Sequence, residues 1–186
     1  MNLRVQRVEA RRLTIALVGR FDASDEAVAG GFRKALGLDF PAVNRVVRAE
    51  GLAVFGVAPG KALVVVAQDQ EWLPARLGPA FSVTDLTEAR VLFEITGSDA
   101  RAVVGKGTTF PVEDEGFDAA ACSMARFAAV AVLIEPLERD RVRLHVPSSY
   151  AQHVEEWLRD AALEKISSTA VDKDERPAAK RSWLEG

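Results

Sequence analysis

The chain has 186 residues, 48% hydrophobic and 27% charged, an ordinary globular composition for one domain or two small halves sharing a core. A net charge of −3 and a pI near 5.5 supply no basic footprint for nucleic acid, and a single cysteine, Cys122, excludes an internal disulfide and fits a reducing compartment. The longest apolar run, Phe127 to Ile134, is far short of the roughly 20 residues of a membrane helix, and MNLRVQRVEARR lacks a signal-peptide core, so a soluble cytoplasmic protein without membrane or nucleic-acid partners is expected.

Met1 to Ala10 is charged and weakly patterned. Leu13, Ile15 and Leu17 share one face of the first strand, Leu13 to Val18, which Gly19 ends. Asp22 or Ser24 can cap the next helix, and Val28, Phe32, Ala35 and Leu36 form its apolar stripe before Gly37 and Phe40-Pro41. Pro41 to Gly51 reads as a loop or a weak strand around Val46 and Val47. Leu52 to Val57 and Ala62 to Ala67 read as a hairpin joined by Ala58-Pro59-Gly60-Lys61. Gln70 to Leu77 is at most a short helix, interrupted by Pro74, that offers Trp72, Leu73 and Leu77 to the core.

The most strongly patterned stretch is SVTDLTEARVLFEITGSDARAVVGKGTTFPV, Ser82 to Val112. It reads as strand, turn, strand, glycine, short helix and extended exit. Val91, Phe93 and Ile95 alternate with Leu92, Glu94 and Thr96. Ser98 is placed to cap a helix from about Asp99 to Lys106, and Gly107 can take the left-handed turn that ends it. Glu113 to Gly116 is an acidic loop, Ala119 to Arg126 is ambiguous between helix and strand, and Ala128 to Leu137 is a buried strand. Val142, Leu144 and Val146 alternate with Arg141, Arg143 and His145, which predicts a strand with one wet face. Ser149 and Gln152 suggest a capping box for a helix running to about Glu164. Residues 166–186 are polar, carry Pro177 and read as a flexible tail, in which only Trp183 and Leu184 break the pattern.

The order strand, glycine, helix, glycine, Phe-Pro occurs twice, over Leu13 to Pro41 and Arg90 to Pro111, each time followed by a hairpin. A repeated β-α-β-β-α unit predicts an α+β fold of two similar halves, about 12–80 and 81–163, with mostly antiparallel sheets in one domain over 1–165.

No catalytic constellation or metal site is legible. There is no G-x-G-x-x-G, and Gly105-Lys106-Gly107 lacks both the first glycine of a phosphate loop and its Ser or Thr, which favours a helix C-cap. His153 and Glu156 lie one turn apart without a third ligand, so a solvated helix face is the simpler reading. Cys122, among alanines, reads as a buried inert thiol. Asp85 reads as a turn former, with ligand positioning or base chemistry as the alternative. Glu113 and Asp114 have no recognisable catalytic partner.

A strand ending in Asp85-Leu86-Thr87, a second ending in Thr96-Gly97, then Ser98-Asp99-Ala100-Arg101 and Lys106-Gly107 resemble the folate-binding domain shared by glycine-cleavage T-proteins and sarcosine oxidases. Ala35-Leu36-Gly37-Leu38, Pro41, Pro147, Ser149-Tyr150-Ala151 and Trp157-Leu158 extend the resemblance, from about Arg12 to Ala162, to the gamma subunit family of heterotetrameric sarcosine oxidases. Two positions depart from that family: Ser148 replaces its arginine, and Ala58-Pro59-Gly60-Lys61-Ala62 replaces its Gly-Pro-Asp-Glu-Trp. The resemblance implies a T-protein-like fold and a non-catalytic subunit of an oxidoreductase complex that demethylates sarcosine or a related N-methyl amino acid, part of one-carbon metabolism. It also implies FAD, FMN, NAD and tetrahydrofolate in the complex, with flavin and dinucleotide sites on the larger subunits and the alpha subunit as chief partner. By itself the chain is expected to bind no cofactor. A stand-alone folate-binding one-carbon protein and a non-enzymic interaction module remain open as alternatives.

Overall fold

The computed structural model describes residues 3–8, 13–20, 25–67 and 77–174. Asp22, Ser24, Trp72, Leu73, Trp183 and Leu184 lie outside the described residues, as does most of the expected Gln70 to Leu77 helix.

The strands are β1 (Arg4–Val8), β2 (Leu13–Arg20), β3 (Val46–Ala49), β4 (Leu52–Ala58), β5 (Lys61–Ala67), β6 (Phe81–Asp85), β7 (Arg90–Thr96), β8 (Ser123–Phe127), β9 (Val130–Glu138) and β10 (Arg141–Pro147). Among the described residues the α-helices are α1 (Asp25–Leu36), α2 (Ala100–Lys106) and α3 (Ala151–Asp174). Two five-stranded antiparallel sheets result, ordered β1-β7-β10-β9-β8 and β6-β2-β5-β4-β3. The two orders are the same order twice, with β7-α2-β8-β9-β10 repeating β2-α1-β3-β4-β5.

The edge strands are exchanged. β1 precedes β2 in the chain but pairs with β7, while β6 precedes β7 but pairs with β2. A division at 80/81 therefore separates β6 from the sheet it completes. The charged N-terminal stretch, weakly patterned in sequence, supplies β1 from its alternating RVQRV.

Three apolar clusters follow from the period-two side-chain alternation of the strands. Phe93, Ile95, Val142 and Leu144 face α2 and α3, where Val104 and Leu158 meet them. Val18, Val54 and Val64 face α1 through Val28 and Phe32. Ile15, Phe55, Leu63, Leu92 and Leu133 fill the space between the sheets. The layers run helix, sheet, sheet, helix, and each fully buried Leu, Ile or Phe contributes about 1.5–3 kcal/mol. Among the described residues, no helix is long and apolar enough to cross a membrane.

Several local expectations need correction. The weak strand at Val46 and the ambiguous stretch before Arg126 are both strands, so each unit holds one strand more than β-α-β-β-α, while α3 closes the second unit as expected. Both are short edge strands (VVRA and SMARF) with too few apolar residues to show a period. The buried strand starts at Val130, because Ala128 and Ala129 form a hairpin turn with φ of 46° and 69°. Ser98 does not cap α2, and its hydroxyl contacts Asp99 instead. Gly107 is right-handed (φ −92°); its need for glycine is space, since a Cβ there would sit 2.4 Å from the Phe127 ring. No capping box forms at Ser149, because a 3-10 turn over Ser148–Tyr150 precedes α3 and Gln152 reaches forward to Glu156. Finally, α3 continues past Glu164 to Asp174, into the stretch that composition assigns to a tail.

Two stability measurements test this packing. Phe93→Ala, at a fully buried ring, should cost about 3–5 kcal/mol in a denaturant melt, and a loss below about 1 kcal/mol would mean the face is wrongly assigned. Ala129→Gly should raise stability by about 0.5–1 kcal/mol, because alanine pays for positive φ that glycine adopts freely. An unchanged or lower stability would place that strain elsewhere.

Candidate functional site

The inner face of the first sheet changes from apolar to charged along its strands. Register sets His145 opposite Leu92 and Leu133, and Arg143 opposite Glu94 and Glu135. The predicted wet face is therefore wrong at this row: His145 is fully buried and Arg143 largely so, because the second sheet covers them. Phe55, from that sheet, stands edge-on to the His145 ring at 5.2 Å.

The buried charges neutralise one another. Glu135 takes His145 Nε2 at 2.8 Å, Arg48 Nη2 at 2.9 Å and Arg143 Nη1 at 3.5 Å. Arg48 comes from β3 in the other sheet, and its second nitrogen donates to the Ala119 carbonyl. Glu94 takes Arg141 Nε at 2.8 Å and Arg143 Nη2 at 2.9 Å. Burial alone would raise the Glu135 pKa. The hydrogen bond and charge of His145, the Arg143 charge and the Arg48 hydrogen bond outweigh it and hold the carboxyl at about 2. Burial is likewise outweighed at Glu94, whose pKa is lowered by Arg141 and Arg143. With Nε2 directed at the carboxylate, His145 Nδ1 is buried without a partner among the described residues, as is Arg143 Nε.

A carboxylate ringed by two guanidinium groups and an imidazole and almost sealed from solvent is a structural anion, and it has no open side for a substrate. Its chemistry is to clamp β3 to β9 and so join the two sheets. The sequence carries a trace of this, since Glu135 interrupts the apolar run of β9 beside the Arg-His face of β10; Arg48 gives no signal of its own.

The other residues singled out from sequence make no hydrogen bond to this cluster, although Cys122 lies near enough to feel its charge. Cys122 is buried, its thiol directed at the Arg45 carbonyl at 3.4 Å; burial, with the Glu135 charge, pushes its pKa up to about 12, far from a nucleophile's. Asp85 accepts the Thr87 amide at 2.8 Å, which lowers its pKa and makes it a turn former. Lys106 pairs with Glu164 on α3, and a Cβ at Gly105 would lie 3.1 Å from the Glu113 carboxylate, a poor neighbour for phosphate. His153 Nε2 bonds the Ala128 carbonyl at 3.0 Å, which props the strained turn. Asp114 accepts the Gly116 amide. Among the described residues, no group of three or more His, Cys, Asp or Glu side chains is placed to hold a metal ion.

The clamp makes part of the fold's stability acid-dependent. A carboxyl held at about 2 against an ordinary value of 4.5 contributes stability that is complete above about pH 4.5 and is lost as pH falls toward 2. Glu135→Gln should destabilise by about 3–5 kcal/mol near neutrality, as expected for a broken buried pair, and should flatten the pH dependence of melting across that window. A variant that melts like the parent at pH 7, or keeps its acid dependence, would remove Glu135 from this role.

Solved structures of other proteins share this architecture. A chain of the heterotetrameric sarcosine oxidase from Corynebacterium sp. U-96, in complex with pyrrole 2-carboxylate, aligns with TM-score 0.75 and 22% identity, covering 87% of this chain and 84% of that one. The glycine cleavage system aminomethyltransferase T from Bartonella henselae aligns with TM-score 0.62 and 15% identity, covering 84% of this chain but only 45% of that longer one. At these identities the likeness is one of fold, and it is T-protein-like. No curated protein sequence matches the chain. The sarcosine oxidase gamma subunit family does match it, over residues 20–164, and the chain belongs to that family.

Proposed function

We propose that the chain acts as the small, non-catalytic subunit of a heterotetrameric flavin-dependent oxidase. The complex removes the methyl group of sarcosine or a related N-methyl amino acid and couples that step to tetrahydrofolate. The observation that carries this reading is the family match, which spans α1 and all or part of nine of the ten strands. FAD, FMN and NAD belong to the larger subunits in this reading, and an alpha-type subunit is the chief partner, in the cytoplasm. The residues here support that division: Gly105-Lys106-Gly107 closes a helix instead of opening one, with the Glu113 carboxylate beside it, and does not fit a dinucleotide pyrophosphate. No step of the chemistry is routed through this chain.

The isolated chain should be colourless and should not turn over sarcosine with an added electron acceptor. Purified from its native source, it should bring down partners whose absorbance spectrum is that of a flavoprotein. Turnover by the chain alone would refute the reading. Tight binding of a folate by the isolated chain would favour a stand-alone one-carbon protein, and partners without flavin would favour an interaction module.

A further inference from the structure

The two helix-to-strand loops, residues 37–45 and the longer 107–122, meet where the sheets touch edge to edge. Arg45 and Ala121 form an antiparallel bridge, Val46 N donates to Ala120 O at 3.0 Å, and Cys122 N donates to Asn44 O at 3.0 Å. Beside this corner lies a cleft of about 390 Å³ lined by both loops. Phe110 and Phe117 pack edge to face in its wall at 4.9 Å, and Val43 is left 43% exposed at its rim. Arg45 lines it from the first loop and Asp114 from the second. Both side chains are exposed, and among the described residues neither forms an ion pair.

The wall is rigid. Asn44 is held left-handed (φ 63°) by its amide on Gly56 O at 2.8 Å and by the Cys122 bond to its carbonyl. Gly56 admits the loop only because it has no side chain, since a Cβ there would sit 2.0 Å from Ala42 O. A preformed recess needs little ordering on binding. A recess of mixed lining, with Val43 and Phe110 exposed to it and opposite charges on its two walls, is complementary to a segment whose apolar side chain stands between a carboxylate, for Arg45, and a cation, for Asp114.

We propose that this cleft is the docking site for such a segment of the larger flavin-carrying subunit. The proposal rests on the reading of the chain as a subunit, and it adds the face and the chemistry of the partner. Docking should protect Phe110 and Val43 from water and should weaken with added salt, as charge pairs at the rim of an interface do.

The test uses the full chain and the co-expressed larger subunits, with dissociation constants measured for the parent, Val43→Asp, Arg45→Glu and a control. The control is Lys34→Glu, beside a separate cleft lined by Gly31, Ala35 and Leu77. The two cleft variants should bind at least about tenfold more weakly with melting curves unchanged, and the control should bind like the parent. If Arg45→Glu melts early, Val43→Asp, at an exposed position, decides alone. Parent-like binding by the cleft variants, or a comparable loss in the control, overturns the docking site and leaves the subunit reading standing. Failure of the parent chain to bind the larger subunits overturns both.

Discussion

The exchange of β1 and β6 is the constraint on which the rest of the structure depends. A sheet that ends at β7 or at β2 exposes a row of unpaired amides and carbonyls. Each half covers the other's edge with the strand that precedes its own first long strand. The chain crosses between sheets at 8–13 and again between Asp85 and Arg90, so neither sheet is made from one continuous stretch. The inner faces are then forced together, and the inter-sheet layer of Ile15, Phe55, Leu92 and Leu133 follows from that geometry.

Forcing two sheets together also buries whatever polar residues their inner faces carry. At the row of Arg143 these are charges, and isolated they would be costly. The arrangement offsets that cost by stoichiometry: Arg143 is shared between Glu94 and Glu135, Arg141 completes Glu94, and His145 with Arg48 completes Glu135. Such a cluster contributes little to stability against an apolar replacement, and much against loss of one member. It also fixes register, because a slip of one residue would carry Arg143 to the helix-facing side.

The sequence was legible where both period and length were strong. The β7 alternation, the α1 stripe, the β4-β5 hairpin and the doubled order of elements are visible without coordinates. Of the edge strands, β1 leaves no clear pattern, β3 reads equally as loop or weak strand and β8 as helix or strand, because short segments with one polar face imitate loops. Ala128-Ala129 carries none of the Asn or Gly that announces a two-residue hairpin turn, so strand seemed to run through it. The Arg-His face of β10 looked wet because alternation shows which residues share a face and says nothing of what covers it. The partners of Glu135 come from two strands, β10 of its own sheet and β3 of the other, a convergence no spacing rule contains. The corner cleft was illegible for the same reason, although Phe110-Pro111 at its wall was already marked as a repeat boundary.

Buried charges hold this member of the gamma subunit family together, and the proposed function gives its surface to assembly. The most direct measurement is add-back: larger subunits prepared without this chain are titrated with it while flavin-dependent oxidation of sarcosine, or of a related N-methyl amino acid, is followed. The account predicts a defective preparation whose activity or assembly rises with added chain and saturates at a fixed stoichiometry. Full activity and full assembly in its absence, unmoved by addition, would contradict it.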